Sequence, residues 1–90
     1  MYALYRIYNL KTDQTYYNVS DDSEGVCAEE RFRLDLGMHE CRKLQEDYTA
    51  TGLELFVIEV LETGSDPARL EKLCQEKKAE AESNGLPLYL

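Results

Sequence analysis

Residues 2–9, YALYRIYN, alternate along their length and so predict a strand with two usable faces. Tyr2, Leu4, Arg6 and Tyr8 fall on one face, and Ala3, Tyr5, Ile7 and Asn9 on the other. Residues 10–14, LKTDQ, form a turn-like cluster, and residues 15–19, TYYNV, are β-branched and aromatic enough to read as a second strand. The pair predicts a β-hairpin with a loop of about five residues. An isolated hairpin is marginal in water, so the rest of the chain has to cover it.

Residues 20–25, SDDSEG, are an acidic loop or a helix start, with Ser20, Asp22 or Ser23 available as caps. A helix is expected over 26–36, with Val26, Cys27, Phe32 and Leu36 as its apolar candidates and Gly37 as its stop. A second helix is expected over 38–51, where Met38, Cys41, Leu44 and Tyr48 make one stripe and Gly52 ends it. Residues 53–62, LELFVIEVLE, are the densest apolar stretch and predict a third strand, the central one because both faces are apolar. Asp66-Pro67 is a helix-start pair, and Asn84-Gly85 a stop. The stripe between them is Leu70, Leu73, Cys74 and Ala81, and the apolar tail 86–90 is expected to pack back on the sheet. The order β-β-α-α-β-α, with helices covering a small sheet, predicts an α+β fold over a single domain, residues 1–90.

Charge narrows the function. Eighteen acids against ten bases give a formal charge of −8, whereas a protein that grips phosphates by counterion release usually carries a basic face. A local basic patch of Arg31, Arg33, Arg42 and Lys43 is possible, but the global field repels nucleic acid. The plainest use of such acidity is solubility. Cys27, Cys41 and Cys74 are widely spaced with no CxxC, which argues against a zinc knuckle and for reduced, mostly core-facing thiols. With no long apolar run and no signal-peptide pattern, a cytoplasmic protein away from membranes is expected.

ALY at Ala3–Tyr5 and YYN at Tyr16–Asn18 stand where the GIY-YIG nuclease domain has its two name-giving motifs, and the chain resembles that family. GMHECRKLQEDYTATGLELFVIEVLE, residues 37–62, looks like the helix and third strand of small members, and DPARLEKL resembles the last helix. The resemblance covers residues 1 to about 80. It implies a three-stranded antiparallel sheet flanked by helices, and metal-dependent cleavage of a DNA phosphodiester. In that chemistry a tyrosine or water attacks phosphorus, an Arg neutralises the phosphate, and a carboxylate holds a divalent cation. Carried over residue by residue, it makes Tyr5, Tyr16 and His39 catalytic candidates and Glu71 the metal carboxylate. Two registers compete for the Arg. A gapless one puts Val26 there and Glu30 at a neighbouring basic position. A shifted one lays EERFR, residues 29–33, on the family pattern and makes Arg31 the catalytic candidate.

The departures are as informative. Ala3 and Asn18 replace motif glycines, which usually permit close backbone approach or φ > 0. Asp21, Asp22 and Glu24 lie where a phosphate backbone should pass. Losing one preorganised charge donor costs about 10²–10³ in rate. The balance favours a non-catalytic, acidic interaction protein that needs no cofactor and presents Asp21, Asp22 and Glu24 to a basic nucleic-acid-binding protein, as a DNA mimic would. A phage or mobile-element inhibitor of the anti-CRISPR type would suit that description. The alternative is an active Mg²⁺- or Mn²⁺-dependent DNA endonuclease using Tyr5, Tyr16, Arg31, His39 and Glu71.

Overall fold

The structure, a computed structural model, describes residues 1–89. It runs β1 (Tyr2–Asn9), β2 (Thr15–Ser20), α1 (Val26–Asp35), α2 (Arg42–Thr51), a short 3₁₀ turn (Leu53–Leu55), β3 (Phe56–Gly64) and α3 (Pro67–Ser83). The α+β class and the order β-β-α-α-β-α are those expected. The sheet order is β2-β1-β3, antiparallel throughout, so β1 is central, correcting the assignment of that place to the third strand. The reason is burial. Ala3, Leu4, Tyr5 and Ile7 are all at most 4% exposed, while β3 carries Glu59 and Glu62 and leaves Leu61 exposed. Leu4 lies opposite Glu62 and Tyr5 opposite Val60, so Leu61 is the extra residue of a bulge.

The hairpin loop is organised by Asn9. Its side-chain Oδ1 accepts the backbone N–H groups of Lys11 and Thr12, its backbone carbonyl accepts that of Asp13, and Asp13 takes φ 64°. β1 then divides the core. Tyr5 and Ile7 pack beneath α1 and α2 with Tyr16, Val26, Leu34, Leu44, Tyr48 and Phe56, while Leu4 packs against Leu70 and Cys74 of α3.

α1 is where residue pattern misleads. Its buried line is Val26, Glu30 and Leu34, at i, i+4 and i+8, whereas the apolar Phe32 and Leu36 are 64% and 55% exposed. No Ser or Asp caps it. Gly25 is the N-cap, and Asp22 instead accepts the Gly25 N–H at 3.0 Å in the turn leading in. It ends as expected at Gly37 (φ 73°), with Met38 N–H on the Arg33 carbonyl and Gly37 N–H on that of Leu34, a Schellman stop.

α2 begins at Arg42, not at 38, so Met38 is exposed and His39 is buried in the segment before the helix. Cys41, Leu44 and Tyr48 keep their predicted burial. α3 starts as read: Asp66 accepts the Ala68 N–H at 3.0 Å and Pro67 occupies the first turn. The tail returns to the sheet, where Thr15 N–H donates to the Pro87 carbonyl and Tyr89 N–H to that of Thr15. The last tail residue, Leu90, lies outside the described residues. Among the described residues no helix is long and apolar enough to cross a membrane.

Candidate functional site

Between β1–β2, α1 and the start of α3 lies a cavity of about 420 Å³. Tyr2, Tyr5 and Asn18 line it from the sheet, Val26, Glu29, Glu30 and Arg33 from α1, and Asp21, Glu40 and Glu71 from around its rim. The buried line on α1 and the period of β1 bring these groups together. Tyr5 points from the sheet toward α1, and Glu30, on the buried line of the helix, meets it.

Glu30 is the hub. Tyr5 O–H donates to its Oε2 at 3.0 Å, and His39 Nε2 reaches the same oxygen at 2.7 Å. Arg33 Nη1 donates to Oε1 at 3.2 Å, while its Nη2 holds Glu29 at 2.5 Å. The Nδ1 of His39 accepts the Cys41 backbone N–H at 3.0 Å, so the ring presents Nε2–H to Glu30. Burial works against the Glu30 carboxylate, but the bonds from His39 and Tyr5 and the Arg33 charge outweigh it and hold its pKa below the ordinary value.

The two motif tyrosines are held as donors. Burial, and after it the charge of Glu30, pushes the Tyr5 pKa far above that of a free phenol. Tyr16 is pushed up to about 12, by burial first and then by the charges of Glu40 and Glu30 against an opposing bond from Asn18. Its hydroxyl donates to Glu40 at 3.2 Å and accepts from Asn18 Nδ2 at 3.0 Å. The Tyr16 ring stands edge-on to His39 with centroids 5.2 Å apart, and lies 6.4 Å from Tyr5. Each hydroxyl donates to a carboxylate whose charge, together with burial, opposes its ionisation.

Of the residues singled out from sequence, Tyr5, Tyr16 and His39 form one cluster, and Glu71 lines the adjoining cavity. Arg31 does not join them. It is exposed on α1 and its charge acts on Cys27 and Tyr48 instead. Val26, buried at 3% exposure, lines the cavity wall with Glu29, Glu30 and Arg33 of the same helix. Asp21 reaches the cavity, whereas Asp22 and Glu24 are exposed outside it. From sequence, Glu40 has no role, Glu29 figures only in the EERFR stretch, Arg33 there and in the basic patch, Asn18 as a replaced motif glycine, and Glu30 as a replaced basic residue. The one signal for Glu30 is its place midway between Val26 and Leu34 at helical spacing.

Among the described residues no group of three His, Cys, Asp or Glu side chains is arranged to hold a metal ion. Magnesium commonly uses one or two carboxylates, with waters and substrate phosphates completing the shell. Glu71, the carboxylate given that role by the resemblance, is exposed and lines the cavity wall.

The hairpin, the third antiparallel strand on its inner member and the helices over both faces make this a GIY-YIG-like fold. Among solved structures the chain is similar to the catalytic domain of the homing endonuclease I-TevI, with a TM-score of 0.80 and 21% identity over 99% of this chain and 96% of that one. A glutamate-to-alanine mutant of the intron endonuclease I-TevI catalytic domain gives 0.77 and 21% over 97% and 91%. No protein-family model and no curated protein matches the chain.

Proposed function

We propose that this chain uses a GIY-YIG-like scaffold for binding rather than for phosphodiester cleavage, and that its ligand is a basic nucleic-acid-binding protein whose nucleic-acid surface it blocks. One observation carries the reading: Glu30 sits at the centre of the tyrosine–histidine cluster and takes its hydrogen bonds. Arg33, the cation on the cavity wall, is paired to Glu29 and Glu30, which leaves it little charge to offer a phosphate. The rest of the rim is acidic, through Asp21, Glu40 and Glu71. A phosphodiester entering here meets carboxylates, while an arginine or lysine side chain meets complementary charge. The inhibitor role, of the kind phages and mobile elements carry, rests on this sign of charge and on the overall −8. Asp21, Asp22 and Glu24 are the contact residues at the hairpin's exit.

A second reading has its own support, since the neighbours at TM-scores of 0.80 and 0.77 are catalytic domains of an endonuclease and Tyr5, Tyr16, His39 and Glu71 gather at one place. Incubation with supercoiled plasmid and saturating Mg²⁺ or Mn²⁺ separates the two. The binding reading expects no nicking. Metal-dependent nicking that disappears in Glu71→Ala would overturn it in favour of the endonuclease. The partner's chemistry is tested with an arginine-rich peptide, whose binding should weaken steeply with salt and on Asp21→Asn.

A further inference from the structure

Three donors from three parts of the fold converge on one buried carboxylate. β1 supplies Tyr5 O–H, the segment before α2 supplies His39 Nε2–H, and α1 supplies the Arg33 guanidinium, at 3.0, 2.7 and 3.2 Å from Glu30. The side chains of Glu30 and His39 are 4% and 0% exposed. The direction of His39 does not depend on Glu30, because the Cys41 N–H fixes its ring from behind at 3.0 Å. Nor does that of Tyr5, which projects from the central strand of the sheet. A phenol, an imidazole N–H and a guanidinium aimed at one point are a donor set for an oxyanion, held by the fold before the anion arrives. The space is not closed behind Glu30, since Glu30 itself lines the 420 Å³ cavity.

We propose that Glu30 is a built-in anion filling a latent oxyanion site made by Tyr5, His39 and Arg33, and that removing its carboxylate opens this site to inorganic phosphate. The inference rests on the binding reading above, for which it supplies the device that keeps phosphate out. It makes Glu30 a residue that decides what the cavity accepts: with the carboxylate in place the donors are satisfied internally, and without it Tyr5 O–H and His39 Nε2–H lose their acceptor while Arg33 keeps only its bond to Glu29.

The test is phosphate titration of the parent and of Glu30→Ala, followed by amide chemical shifts and by thermal melting. The parent should show no saturable response. Glu30→Ala should bind phosphate at least about tenfold more tightly than the parent, with shifts centred on Tyr5, Arg33 and His39, and phosphate should raise its melting temperature and not the parent's. Adding His39→Ala to Glu30→Ala should remove most of that gain. Equal phosphate binding by parent and variant, or none by a folded Glu30→Ala, overturns the inference. If Glu30→Ala does not fold in plain buffer, folding on addition of phosphate supports it. Failure of both Glu30→Ala and Glu30→Ser to fold with phosphate present counts against it, because a cradle matched to an oxyanion should be refilled. Plasmid nicking by the parent would sink the binding reading alone, and phosphate capture by Glu30→Ala is scored separately.

Discussion

The two faces of the sheet solve the same packing problem with different materials. Under α3, Leu4, Leu70 and Cys74 close on one another with Tyr2, Tyr17, Val19 and Leu73 at their edge. Under α1 and α2, among the described residues, four of the ten buried core residues are tyrosines, and each ends on a carboxylate. Tyr5 bonds Glu30, Tyr16 bonds Glu40, Tyr48 bonds Asp35, and Tyr89 bonds Asp47. The acidity of this chain is therefore not only a solvated surface. Four of its acids are the acceptors that let phenol rings be buried on one face of the sheet. Apolar contact supplies area without direction, whereas a phenol–carboxylate pair fixes where both ends sit.

The sharpest way to break the contrast is in the apolar half. Leu70 is fully buried, and Leu70→Ala should lower unfolding free energy by about 3–4 kcal/mol in urea titration. In the tyrosine half, Glu30→Ala leaves buried donors facing one another and should cost about 2–3 kcal/mol in phosphate-free buffer. A loss below about 0.5 kcal/mol there would mean the network positions nothing. The same carboxylate sets an acid limit. Its folded pKa lies below its ordinary 4.5, so its stabilisation is complete above about pH 5 and drains away as pH falls through the lowered value. Thermal melts from pH 6 to pH 3 should show this, and Glu30→Gln should flatten the acid limb. Tyr89→Phe removes a hydroxyl that donates to Asp47 and accepts from Asn9, and should cost about 1 kcal/mol. Phe32→Ser is the smallest effect, within about 0.5 kcal/mol, because the ring is 64% exposed despite its apolar character.

Legibility followed the same division. The hairpin was readable because alternation over YALYRIYN has one interpretation, and α3 because Asp66-Pro67 and Asn84-Gly85 mark both ends. Phe32, Leu36 and Met38 misled because periodicity counts apolar residues as buried. Glu30 and His39 are buried instead, satisfied by partners 25 and 9 residues away in the chain. Helical spacing places Glu30 on the buried line, but no local pattern names those partners. The central place of β1 was hidden for a related reason. Apolar density marks β3, but what decides the order is which strand is covered on both faces and paired on both edges. Motif order singles out Tyr5, Tyr16, His39 and Glu71, whereas the EERFR register points to Arg31, which is exposed away from the cluster, and passes over Arg33 at its end, which reaches Glu30.

The way β1 is housed also sets an order of events for folding. Its inner edge needs β3, more than forty residues on, and Asn9 in its last position waits for Tyr89, 80 residues away. Contacts this distant must close large loops before they return any stability, which slows folding relative to a chain of local helices. Until residues 56–64 arrive to pair with it, the central strand has one edge open, so the hairpin that organises the molecule depends on the chain's most distant contacts for its completion.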